Sequence, residues 1–125
     1  AMKQPMAPGK WTAHELLAHL ADFELVMSAR CRLIAFQDNP VLASYDQAPW
    51  LEGWRREKES LDETIVRFLA LRNAQVALFR NLPEAGWKRY GTHTAEGRLT
   101  IRDLMERTAG HDLHHLRQFA ALASR

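Results

Sequence analysis

From Thr12 to Phe36 the chain carries an unbroken helical pattern, and no other feature constrains its fold as much. Ala13, Leu16, Leu20, Phe23, Met27, Cys31 and Ile34 recur every three or four residues. That spacing puts apolar side chains on one face of an α-helix. Thr12 supplies an N-cap, and Glu15, three residues on, has the position that closes a capping box. Trp11 and Leu16 have the spacing of a hydrophobic staple across that cap. The run Gln37-Asp38-Asn39-Pro40 stops the helix. A helix this long with one apolar face must be covered by other elements.

Two further stretches have the same period. From Trp54 to Asn81, Leu61, Ile65, Phe68, Arg72, Gln75 and Phe79 follow helical spacing, and Leu69, Leu71, Val76 and Leu78 widen the apolar side. Leu82-Pro83 and Gly86 end that segment. From Thr100 to Arg125, a stripe runs through Ile101, Met105, Thr108, Asp112, Leu116, Phe119 and Ala123, with Thr100 as cap and Asp103 at the capping-box position. Residues 37–53 and 83–99 read as connections. Pro40, Pro49 and Gly53 argue against a long helix in the first of them, and its aromatics Tyr45, Trp50 and Trp54 either cap the core or wall a pocket. Residues 1–10, with Pro5, Pro8 and Gly9, read as a lead-in. The expectation is an all-α chain forming one domain over residues 1–125 from three long helices. Their wide apolar faces call for a fourth helix, from a partner chain or from sequence upstream. The chain is therefore expected either to dimerise or to lack its first helix.

Composition narrows the function classes. A chain of 125 residues suits one domain. The formal net charge is only +2, and the arginines sit among acids, as in Arg55-Arg56-Glu57-Lys58-Glu59, so no nucleic-acid patch stands out. No run of about 18 apolar residues predicts a membrane span, and no signal-peptide pattern precedes the first helix. Cys31 is the single cysteine, which forbids an intrachain disulfide and fits a reducing, cytoplasmic setting. There is no glycine-rich phosphate loop, and no serine has the flanking glycines of a nucleophile elbow.

The histidines are the chemically informative group. His111 and His115 are four residues apart, one turn above the other, on a shoulder of the last helix's stripe. His114 points toward the polar side. His19 lies at the edge of the first helix's stripe. If the two helices pack together, the three can converge. Neutral imidazoles suit zinc, nickel or iron, and three protein ligands leave a position for water or substrate. Asp22, Glu24 and Asp112 are the carboxylates placed to accept from the rings' second nitrogens. The pair is not the His-Glu-x-x-His of zinc peptidases, since Asp112-Leu113-His114 intervene. Nor does the chain repeat the Glu-x-x-His units of dimetal bundles. Spacing alone leaves a metal site and ordinary structural histidines both open. His14 is expected on the solvent side. His93, in Gly91-Thr92-His93-Thr94, lies in a loop that could approach the site. Cys31 lies about 18 Å of helix beyond His19 and reads as a core cysteine.

The same residues carry a family resemblance. The stretch from Pro8 through Trp11-Thr12-Ala13-His14-Glu15-Leu16-Leu17-Ala18-His19-Leu20-Ala21-Asp22 resembles the opening of the second helix in the DinB-like (YfiT-like) family. Leu99-Thr100-Ile101-Arg102-Asp103-Leu104 and Ala109-Gly110-His111-Asp112-Leu113-His114-His115-Leu116 resemble that family's last helix. The resemblance implies an antiparallel four-helix bundle whose first helix would lie before Pro8 and is expected to be missing here. It implies a divalent metal on His19, His111 and His115, zinc or nickel first, with iron and manganese as alternatives. It also implies homodimers, and for chemistry a metal-dependent transferase using a low-molecular-weight thiol such as bacillithiol or mycothiol, or a mycothiol-dependent isomerase; a water at the metal's open position would instead make a hydrolase. A non-catalytic, metal-stabilised interaction module is the alternative. Nothing in the resemblance implies nucleic-acid or membrane binding.

Overall fold

Thr12 caps the first helix as its sequence requires. Its hydroxyl accepts from the Glu15 N–H at 3.0 Å, and the Glu15 carboxylate accepts from the Thr12 N–H at 2.9 Å. Each contact satisfies a backbone or side-chain group that the helix start would otherwise leave open. In this computed structural model, which describes residues 11–123, helix α1 runs over Ala13–Phe36. Strand β1 (Val41–Leu42), helices α2 (Gln47–Glu57) and α3 (Leu61–Asn81), and a 3₁₀ turn (Glu84–Lys88) follow. Strands β2 (Tyr90–His93) and β3 (Gly97–Thr100) then lead directly into α4 (Ile101–Ala123).

The expectation of three long helices with the first one missing is overturned. Four helices, α1 to α4, are present among the described residues. The fourth, α2, forms in the stretch expected to be a connection, despite Pro49. Asp46 caps α2 through Ala48 N–H at 3.1 Å, which puts Pro49 in the first turn. There a missing N–H costs no intrahelical bond, so proline is tolerated. The long second helix also divides. Lys58 takes a left-handed conformation (φ 54°), and Ser60 starts α3 with its own capping box to Glu63.

A purely helical fold is likewise corrected, since the connections pair into a small sheet of order β1-β2-β3. β1 runs parallel to β2, with Leu42 opposite His93, and β2 runs antiparallel to β3, with His93 opposite Gly97. Gly97 has φ +77°, the conformation that closes a short hairpin and that glycine adopts without a Cβ clash. Gly91 is required for a different reason: a Cβ there would stand 2.9 Å from the Pro40 carbonyl oxygen.

The core joins α1, β1, α3, β3 and α4. Met27, Cys31 and Ile34 of α1 meet Leu42, Leu78, Leu99, Ile101 and Leu104, with Phe79 and Trp87 packed at its margin. Burying a side chain the size of Leu or Ile stabilises by about 1.5–3 kcal/mol, so the sheet is tied to the bundle by Leu42 and Leu99. Arginines of α3 link the helices further. Arg72 holds Glu24 of α1 and Asp112 of α4, and Arg67 holds Asp22 of α1 and Glu59. Among the described residues, no helix is long and apolar enough to cross a membrane.

Candidate metal centre

α1 and α4 pack together, and their histidines meet. His19 Nε2 stands 3.0 Å from His111 Nε2, ninety-two residues away in the chain. His115 Nε2 lies 3.1 Å from the same His111 atom. The three donor atoms all fall within 4.8 Å of one another, and no other group of three metal-type side chains does so among the described residues. His19 and His115 are buried and His111 is half-buried.

The protonation chemistry fits a cation. Burial, and then the neighbouring His115, pushes the His19 pKa down to about 4. Burial, followed by the charges of His115, His19 and His114, pushes His111 down to about 3. Burial also lowers His115, against a raising contribution from Gln118. All three rings are therefore uncharged at neutral pH, the form that ligates a metal. His115 Nδ1 bonds the Gln118 side-chain oxygen, so that nitrogen carries the ring's proton and leaves the Nε2 lone pair aimed at the cluster. One shared proton cannot serve three converging nitrogens well, whereas a divalent ion can. Nitrogens bound at 2.0–2.1 Å in a tetrahedral site lie roughly 3.3 Å apart, close to the 3.0 and 3.1 Å that separate His111 from His19 and His115. The residues present fit a divalent metal.

Around the three rings the supports differ from expectation. Asp22, Glu24 and Asp112 pair with Arg67 and Arg72 and accept from none of the three imidazoles. Gln118 takes that role for His115. It was legible only as a residue three positions on, one helical turn away. His111 has no partner for its buried Nδ1 among the described residues. Its ring is held by stacking on Phe23, with centroids 3.8 Å apart. Trp11 covers His19, with ring centroids 4.9 Å apart.

The remaining histidines separate. His114 is exposed, as its helical phase implies. His14 is not solvent-facing as expected: its Nε2 lies 3.1 Å from Thr64 Oγ1, and its ring meets Trp54 edge-on. Cys31 is a core residue, with Sγ 3.3 Å from Gln75 Nε2. His93 does approach the site. With Phe23, Arg30, Tyr45 and Arg107, it lines a cleft of about 460 Å³ whose inner wall includes His111.

A four-helix bundle with an inward-facing three-histidine cluster between its first and last helices defines the class. The DinB superfamily model matches residues 1–119, and the chain belongs to that superfamily. A protein of Oceanobacillus iheyensis named "Putative metal-dependent hydrolase" is 27% identical over 117 residues, covering 94% of this chain and 67% of the relative. The Bacillus subtilis protein YfiT, named in the same way, is 25% identical over 123 residues, covering 97% of this chain and 68% of YfiT. The solved structure of YfiT superposes with a TM-score of 0.89 at 23% identity, over 99% of this chain and 71% of that one. That likeness is one of fold, and the fold described for YfiT is a four-helix bundle of unusual topology. The chain thus spans about two thirds of the length of these relatives.

Proposed function

We propose that this protein is a metal-dependent hydrolase that holds one divalent ion, zinc or nickel, on His19, His111 and His115. The observation that carries the reading is the convergence of three uncharged Nε2 atoms, that of His111 3.0 Å from His19 and 3.1 Å from His115, with His111 also lining an open cleft. The names of the relatives, metal-dependent hydrolases, support it. A bound ion of this kind supplies Lewis-acid polarisation and activation of water at neutral pH. The chain's own residues do the rest. Gln118 fixes the His115 tautomer, Phe23 fixes the plane of His111, and Trp11 packs against His19. No side-chain carboxylate hydrogen-bonds these imidazoles among the described residues, so the ligand set is neutral. Such a set leaves the ion's full charge to act on a substrate.

The test is elemental analysis of protein purified without a nickel column or chelator, beside the double variant His111→Ala, His115→Ala. About one divalent ion per chain is expected in the parent and none in the variant. Hydrolysis of a panel of activated esters and amides should then track metal content. A second panel with bacillithiol, mycothiol and an electrophile distinguishes thiol transfer, and turnover only there would replace hydrolysis by transfer. A parent that takes up no zinc or nickel on titration would overturn the metal reading.

A further inference from the structure

Between the histidine cluster and the β2–β3 hairpin lies a group of side chains that metal ligation does not use. Arg30 is on α1, eleven residues beyond His19, about 16 Å further along the helix. Its Nη2 donates to the Ala43 carbonyl at 2.7 Å and also faces His93 Nε2 at 3.5 Å. His93 is only 7% exposed. Its Nδ1 accepts from the backbone N–H groups of Ala95 and Glu96, both at 3.1 Å. A ring nitrogen that accepts carries no proton, so the His93 proton sits on Nε2. The 3.5 Å contact is therefore donor facing donor, not a hydrogen bond. Among the described residues, His93 Nε2 meets no hydrogen-bond acceptor, its one polar contact being Arg30. Buried donors are almost always satisfied; His93 is buried and its neighbour across the cleft is the half-buried Arg30 guanidinium, so the acceptor that suits the pair is an anion.

The other charges facing this cleft do not fill that role. Glu96 also lines the cleft and is held by Arg107 at 2.6 Å, so their charges offset. Its carboxylate is 3.9 Å from His93 Nδ1, the nitrogen that bears no proton. Tyr45 forms the wall, its ring 5.9 Å from the Arg30 guanidinium carbon. Arg30 is left as the net positive charge in a cleft that also reaches His111.

We propose that Arg30 and His93 form an anion subsite that receives the carboxylate of an elongated organic substrate whose other end lies at His111. A planar guanidinium beside an imidazole N–H matches the two oxygens of a carboxylate. The word substrate rests on the hydrolase reading above, but the binding of the anion does not.

The experiment titrates metal-free, ¹⁵N-labelled protein with hexanoate and, separately, with hexanamide, reading the backbone amides of residues 93–96 by NMR. Hexanoate shifts them saturably and hexanamide does not. Arg30→Gln and His93→Asn each weaken hexanoate binding by about tenfold or more, the effect of losing a charge-assisted hydrogen bond. His93→Asn keeps a side-chain oxygen for the two turn N–H groups and removes only the Nε2 donor, so the hairpin is retained. Equal responses to hexanoate and hexanamide, or undiminished binding in both variants, overturn the subsite. Zinc titration of the same samples separates the two ideas. Hexanoate binding without zinc uptake upholds the subsite and sinks the hydrolase, and zinc uptake without hexanoate binding does the reverse.

Discussion

Phe23 lies flat on His111, the planes of the two rings 14° apart and their centroids separated by 3.8 Å. His111 has no hydrogen bond on Nδ1 among the described residues, so packing sets its orientation. Groups that orient a metal ligand are typically worth 10–100-fold in affinity. Phe23→Ala should therefore weaken zinc binding by about tenfold, with the helical circular dichroism retained. Competition against a zinc-chelating dye measures this. Affinity equal to the parent's would mean that another contact positions the ring.

Arg72 governs stability rather than ligation. Its Nε and Nη2 reach the two Glu24 oxygens at 3.0 and 3.1 Å, and the Glu24 side chain is only 1% exposed. Removing the arginine strands a buried carboxylate, a change worth about 3–5 kcal/mol when a partner is lost. Arg72 is itself 29% exposed, so the lower end applies, and Arg72→Met should cost about 3 kcal/mol in urea unfolding. Adding Glu24→Gln should restore part of the loss, because the stranded charge is then gone. A single variant as stable as the parent would show that water already solvates Glu24.

What the sequence made legible was what helical periodicity and capping encode. The ends of α1 and the cap of α4 follow from local spacing, whereas the meeting of His19 with His111 and His115 is left open by spacing and implied only by the family resemblance. The missed elements depend on context. Pro49 reads as a breaker unless Asp46 is known to cap the turn before it. β1 is two residues long and finds its partner some fifty positions away, so no alternation marks it. The carboxylates near the histidines were natural candidates to orient them, but the arginines of α3 claim them. That competition is visible only once α3 is packed against α1.

Cys31 supplies a pH dependence. Burial pushes its thiol from an ordinary 9.0 up to about 11, against a lowering contribution from Gln75. Between those values the folded chain keeps a proton that the unfolded chain loses. The contribution is thus fully present below pH 9 and is lost as pH rises through 11. Two pKa units correspond to about 2–3 kcal/mol. The parent's stability should fall relative to Cys31→Ala between pH 8 and pH 10.5, read from urea midpoints. Parallel profiles for the two proteins would show that Cys31 ionises as freely folded as unfolded. Native Cys31 should also resist iodoacetamide at pH 8, because thiolate is the reactive form.

Gln118 tests whether the orientation of His115 matters to the metal or only to the fold. Its side-chain oxygen accepts from His115 Nδ1, one turn along α4, and this directs Nε2 at the cluster. Gln118→Ala removes the acceptor, freeing the ring to rotate or to move its proton to Nε2, where the lone pair is needed. Zinc affinity should fall by about 10–100-fold. Gln118→Glu keeps an acceptor in the same place and adds charge that favours the Nδ1–H tautomer, so it should bind zinc at least as tightly as the parent. Metal-free stability separates a structural effect from a ligating one. The residue is half-buried near the helix end, so both variants should unfold within about 1 kcal/mol of the parent without zinc. They should diverge once zinc is added, because binding to the folded state alone stabilises in proportion to the logarithm of affinity. If alanine and glutamate variants bind zinc alike, the contact is incidental to the site.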